Sequence, residues 1–212
     1  GYDRYFQIVK CVRDEDFRAD RQPEFTQIDI EMSFVDEKDV FDVVEQLVRS
    51  VFREVISVDL LTPFPTLTFD EAMEMYGTDK PDLRFELPLI DFSKFASESD
   101  FKALKSAETV KVVVVPEAEG YSRKVIDQLI DFVKEYSSQE KKAPLGGLAW
   151  MRCVEGDLTG GVSKFFDEEL RQKIIEVLGI KEGDLLLATG GEQDTVLSTM
   201  GALRLKIAER DD

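Results

Sequence analysis

Along residues 24 to 34 apolar and polar side chains alternate strictly. Thr26, Ile28, Ile30, Met32 and Phe34 fall on one parity, and Phe25, Gln27, Asp29, Glu31 and Ser33 on the other. A period of two is the signature of a strand with one buried and one open face. Residues Tyr5 to Val12 are rich in aromatic and β-branched side chains and read as its neighbour. Gln7 and Arg13 share a parity there, and Glu15 continues it past the strand end. Two adjacent antiparallel strands would then offer an apolar underside and an upper face bearing Arg13, Glu15, Phe25, Gln27, Asp29 and Glu31.

From Asp36 the period changes to three and four. Val40, Val43, Val44, Leu47, Val48, Val51 and Val55 line one side of a helix with Asp36 as its N-cap, expected to pack on the apolar underside. Thr68 and Glu71 form a capping box for a short helix that ends at Gly77. An irregular stretch follows to about Phe95. The pattern then restarts as strand (Val110 to Val115), helix (Ser122 to about Tyr136), strand (Leu148 to Val154), helix (Asp167 to Leu178), strand (Asp184 to Thr189) and a last helix to Ile207. The expected fold class is α+β: a partial antiparallel sheet in residues 1–100, then a small α/β module in residues 101–212, with the boundary between about 96 and 108.

Composition narrows the chemistry. The 212 residues contain 43% apolar and 33% charged side chains, enough for a packed core. Lys and Arg number 27 against 44 Asp and Glu, a net charge of −17, so any contact with nucleic acid must be local. Histidine is absent, which excludes a Ser-His-Asp triad, a Cys-His dyad and a His-based zinc site within this chain. Two cysteines, Cys11 and Cys153, suit a reducing cytosol, and the expected location is cytoplasmic. No run of apolar residues is long enough for a membrane span. The first residue is not Met, and the chain is expected to be a piece of a longer protein.

The upper face of the leading strands is where reactive groups gather. An Arg there can bind a phosphate as a fork and spread the charge of a phosphoryl transition state. Phe25 can stack a nucleobase, and carboxylates can accept from exocyclic amines or help hold magnesium. On periodicity alone a solvated face of Arg and Asp pairs fits as well, and is the commoner case. Elsewhere the plainer reading holds: Cys11 is an inert thiol, Trp150 belongs to a core, and Gly146-Gly147, Gly160-Gly161 and Gly190-Gly191 are turns. Lys141-Lys142 is too small a basic cluster for RNA.

The wording of the first segment says more. Arg13, Glu15, Arg21, Phe25 and Asp29, within the ungapped run from Arg4 to Glu31, strongly resemble the second signature motif of class II aminoacyl-tRNA synthetases in its bacterial-type aspartyl form. Tyr76-Gly77-Thr78-Asp79-Lys80-Pro81-Asp82-Leu83-Arg84-Phe85 also looks like this family. Residues from about 100 onward are similar to the insertion module (GAD type) that these enzymes carry, with Gly147-Leu148-Ala149-Trp150 and Gly201-Ala202-Leu203-Arg204-Leu205 as its words. The resemblance implies a partial class II catalytic sheet followed by that module. It implies that Arg13 is the catalytic group holding the α-phosphate of ATP and the aspartate carboxylate, that Glu15 takes the adenine amino group and that Phe25 stacks on adenine. Asp14 and Gln22 would line the ATP site, Asp29 would bind aspartate, and Glu31 would face the metal. The implied cofactors are ATP and Mg2+. The implied partners are L-aspartate and tRNA(Asp), and the parent would be a homodimer off the membrane.

The implied reaction is activation of aspartate to aspartyl-adenylate and transfer to tRNA. The family's dimer motif, anticodon-binding barrel and γ-phosphate arginine are not found here, so the chain alone is expected to be inactive. The alternative is a non-catalytic binding or regulatory protein built from the same pieces, or a scaffold resting on the module.

Overall fold

The computed structural model describes residues 2–17, 21–139 and 144–211. The chain forms two compact units, residues 1–66 and 67–212. Residues 67–100, read from the sequence with the first part, pack into the second.

In the first unit β1 (Arg4–Val12) and β2 (Glu24–Met32) form an antiparallel hairpin. Its register sets Gln7 opposite Asp29, Val9 opposite Gln27 and Cys11 opposite Phe25, so the polar parities of the two strands share a face as the alternation requires. The helix α1 (Glu37–Ile56) follows, with a capping box between Asp36 and Asp39 at its start and Ser57 in the left-handed conformation at its end. Its Val43 and Leu47 line an open trough of about 880 Å³ with Phe6, Ile8, Ile28 and Ile30 of the hairpin underside. The packing is incomplete. No residue of α1 is fully buried, and Phe6 and Ile8 each remain 71% exposed.

The second unit is built on a five-stranded antiparallel sheet. The helix α2 (Phe69–Tyr76) leads to β3 (Ile90–Asp91), then come the short helices α3 (Ser93–Glu98) and α4 (Lys102–Lys105). After them lie β4 (Thr109–Val115), α5 (Arg123–Gln139), β5 (Ala149–Val154), β6 (Asp157–Thr159), α6 (Glu168–Leu178), β7 (Leu185–Gly191) and α7 (Gln193–Asp211). The strand order is β3-β4-β7-β5-β6. Both faces of this sheet are covered, which is why β4 and β7 are mostly apolar on both parities, the buried Lys111 excepted, whose ammonium pairs with Glu74 at 2.5 Å. Val113, Val115, Leu185 and Leu187 pack under α5 and α7, and Val110, Val112, Leu186 and Ala188 pack with α3, α4 and α6.

Phe92, Phe95 and Ala96 belong to that second layer and Leu89 to the first, which places residues 67–100 in this unit. Neither β3 nor α3 is long enough to show a period along the chain. Gly190-Gly191 end β7 instead of forming a turn: a Cβ on Gly190 would lie 2.8 Å from the Ala107 side chain. Gly160-Gly161 do turn, both with positive φ, and their backbone rests on Trp150, a half-buried neighbour of the core. Cys153 is buried, and burial pushes its thiol pKa up. The Lys141-Lys142 pair lies outside the described residues. Among the described residues no helix is long and apolar enough to cross a membrane.

Candidate active site

The hairpin ladder continues one step beyond β1, where the Arg13 N–H donates to the Pro23 carbonyl at 2.8 Å. Arg13 therefore keeps the parity of Gln7 and reaches the polar face next to Phe25. Its guanidinium carbon lies 5.3 Å from the centre of the Phe25 ring, within range of a cation–π contact. The sequence predicted both residues on this face, and the structure brings them together.

Glu15 follows on the connection between the strands, where Arg21 donates to its carboxylate at 2.9 Å. A carboxylate held this way has one oxygen fixed and the other open, which suits it to accept from an amine. Asp14 and Gln22 lie on the same connection with exposed side chains. Arg18, Ala19 and Asp20 of the motif are outside the described residues.

Asp29 sits nearer the middle of the hairpin. Gln7 donates its amide to Asp29 Oδ2 at 2.9 Å from the opposite strand. Four residues separate Phe25 from Asp29, which is about 13 Å along a strand. The face thus has an aromatic and cationic end and an oriented carboxylate farther along, with Gln27 between them and Cys11 opposite Phe25; Cys11 Sγ lies 3.6 Å from Gln27 Oε1. Such a strip offers an aromatic ring to a flat base, a guanidinium beside it to a phosphate, and a carboxylate farther along to an ammonium group.

Glu31 is exposed one step beyond Asp29, opposite Tyr5. Among the described residues no group of three His, Cys, Asp or Glu side chains is placed to hold a metal unaided. Magnesium usually keeps its waters and substrate phosphates and takes only one or two protein carboxylates, so Glu31 fits that lesser role. Sequence reasoning missed two partners, Gln7 on Asp29 and Arg21 on Glu15. The shared parity of Gln7 and Asp29 was the available signal for the first; the second depends on a loop conformation that no periodicity encodes.

The family model described as tRNA synthetases class II (D, K and N) matches residues 1–186. An aspartate–tRNA ligase of Staphylococcus saprophyticus is 46% identical over 217 residues, covering 100% of this chain and 36% of the relative. An aspartate–tRNA(Asp/Asn) ligase of Caldanaerobacter subterraneus is 46% identical over 214 residues, covering 99% and 35%. An aspartate–tRNA ligase of Halalkalibacterium halodurans is 45% identical with the same coverage, 99% and 35%. The chain spans about a third of the length of these relatives.

Proposed function

The chain belongs to the family of class II tRNA synthetases (D, K and N), and from that membership we propose that it supplies part of the active site of an aspartate–tRNA ligase. The observation that carries the reading is the register pairing Gln7 with Asp29, because it puts Arg13, Phe25 and Asp29 on one face, with the guanidinium beside the aromatic ring and an oriented carboxylate farther along the strand.

In this reading a carboxylate oxygen of aspartate attacks the α-phosphorus of ATP, the bond to the β-phosphate oxygen breaks, and pyrophosphate leaves. Phe25 stacks on adenine and Glu15 accepts from its amino group. Arg13 holds the aspartate carboxylate against the α-phosphate and balances the charge that grows there in the transition state. Asp29, oriented by Gln7, receives the substrate ammonium. Glu31 would serve a Mg2+ ion carried by the phosphates, which offsets their charge when bound. No side-chain nucleophile or base is required, in keeping with a chain that contains no histidine. The second half-reaction passes the aspartyl group to the 3′ end of tRNA. We propose tRNA(Asp) as the acceptor, a homodimeric parent, a cytoplasmic location, and little activity for these 212 residues alone.

The test is aspartate-dependent exchange of pyrophosphate into ATP by the full-length protein. Arg13→Ala should reduce exchange by about a hundredfold or more while leaving circular dichroism unchanged, since removal of a group that stabilises transition-state charge costs on that order. Unchanged turnover would remove Arg13 from the site. A wild-type protein that binds ATP and aspartate without exchange would instead be a binding or regulatory protein.

A further inference from the structure

Between α2 and β3 runs a stretch without regular structure, residues 77–89. Its ends are tied: the Leu89 N–H donates to the Met75 carbonyl at 2.7 Å, so the stretch closes into a loop with a narrow neck. The interior of this loop is filled by a side chain from elsewhere. Arg204, from α7, is only 1% exposed. Its Nε donates to the Leu87 carbonyl at 3.1 Å, and its Nη2 to the carbonyls of Asp82 (2.6 Å), Phe85 (3.0 Å) and Glu86 (3.0 Å). The guanidinium also lies 4.8 Å from the Tyr76 ring centre and 4.2 Å from that of Phe85.

Two features bear on how this loop would release. Four loop carbonyls depend on one guanidinium, so their hydrogen bonds form and break together. One of the loop's acids, Asp82, gives its carboxylate to Arg84 at 2.5 Å, and the hydrogen bonds of Arg204 to the loop go to backbone oxygens. Burying a charge on carbonyls alone costs desolvation that water would return if the loop moved away. Tyr76 and Gly77 are fastened independently, because the backbone of Gly77 rests on Leu197 and Gly201 of α7.

We propose that the loop of residues 78–88 is a latch that undocks from α7 as a unit, that Arg204 is the positioning residue holding it closed, and that the sheet beneath stays folded when it opens. Opening uncovers the Phe85 ring and frees Arg204 for an outside partner. It also moves the charged run Asp79, Lys80, Asp82 and Arg84, which belongs to one of the segments resembling the synthetase family.

Trypsin cleavage after Arg84 reads the opening, because the following residue, Phe85, is packed on Arg204. The rate is followed by mass spectrometry in the 212-residue chain, together with amide exchange in β4 and β7. In the wild type, cleavage should show a much weaker dependence on urea than loss of the β4 and β7 amide protection. Arg204→Met should raise the rate about tenfold or more with those amides still protected, and Arg204→Lys, which has fewer donors in a less suitable geometry, should fall between. Equal urea dependence of cleavage and sheet unfolding in the wild type would overturn the latch, as would a cleavage rate unchanged by Arg204→Met. If Arg204→Met unfolds the unit, the wild-type urea comparison and Arg204→Lys decide.

Discussion

Gln7 and Asp29 face each other across the hairpin, and the glutamine amide fixes one oxygen of the aspartate at 2.9 Å. The bond fixes one rotamer of a half-buried carboxylate and leaves its other oxygen for a ligand. On the proposed reading, Asp29→Asn in the full-length protein should therefore cut aspartate-dependent exchange by about a hundredfold, because it would remove the charge offered to the substrate ammonium. Gln7→Ala should act through position alone. Loss of one hydrogen bond worth about 1 kcal/mol should raise KM for aspartate roughly fivefold and leave KM for ATP in place. Steady-state kinetics varying each substrate separately checks both, and a Gln7→Ala enzyme with KM for ATP alone affected would show that the strip runs the other way.

A second expectation concerns the glycine at the end of α2. Gly77 has φ of 69°, and a Cβ there would lie 2.0 Å from the Leu197 carbonyl oxygen. Gly77→Ala therefore meets both left-handed strain and a backbone collision that no rotamer relieves, and should destabilise the second unit by about 3 kcal/mol or more. Gly179 caps α6 with φ of 64° and has nothing within 4 Å of its would-be Cβ, so Gly179→Ala should cost only about 1 kcal/mol. Urea unfolding of the two variants separates the collision from the strain.

The contrast shows what the sequence could and could not reveal. Gly77 as a helix terminator was legible, because Thr68 and Glu71 mark the start of α2 and a glycine closes it. That Gly77 meets α7 was not legible, since the contact joins backbones far apart in the chain. Which residues of the hairpin share the polar face was legible from its alternation, Arg13 included, whereas the bonds from Gln7 to Asp29 and from Arg21 to Glu15 were not. Arg204 was not: an arginine in an apolar helix normally reaches its charge to water, whereas this one finds carbonyls 117 to 122 residues away. Ile90-Asp91 and Ser93–Glu98 escaped for want of length, and the unit boundary moved with them.

Acid should weaken the second unit in a defined window. Arg171 grips Asp157 with two hydrogen bonds of 2.8 Å, tying α6 to β6, and that grip holds the Asp157 carboxyl below its usual pKa of 3.8. A depressed folded-state pKa means that the contribution is whole above about pH 4 and fades as the pH falls through the depressed value. Asp157→Asn, which cannot titrate, should be less stable than wild type by about 1 kcal/mol at pH 7, a modest figure because the pair is partly exposed. The gap should close below pH 4. Denaturant titrations at pH 7, 4 and 2.5 test it, and a gap that widens in acid would mean the pair carries nothing.

The two units should differ sharply in autonomy, and the dividing line should fall near residue 66. Residues 67–212 contain both packed layers of the sheet and should unfold cooperatively when expressed alone. A shorter piece, 101–212, keeps β4, β5, β6 and β7 but loses Leu89 from one layer and Phe92, Phe95 and Ala96 from the other, all at most 6% exposed in the chain. Removing two buried phenylalanines alone is worth several kcal/mol, and the edge of β4 that pairs with Ile90 and Asp91 would be bared. The 101–212 piece should therefore melt well below 67–212 or aggregate. Residues 1–66, whose helix buries no side chain completely, should expose apolar surface and bind a hydrophobic dye. Limited proteolysis of the whole chain should yield a resistant fragment starting close to Leu67. A resistant fragment starting near Ser97 to Ser106, with a thermal transition matching that of 67–212, would show that residues 67–100 are held too weakly to belong to the core.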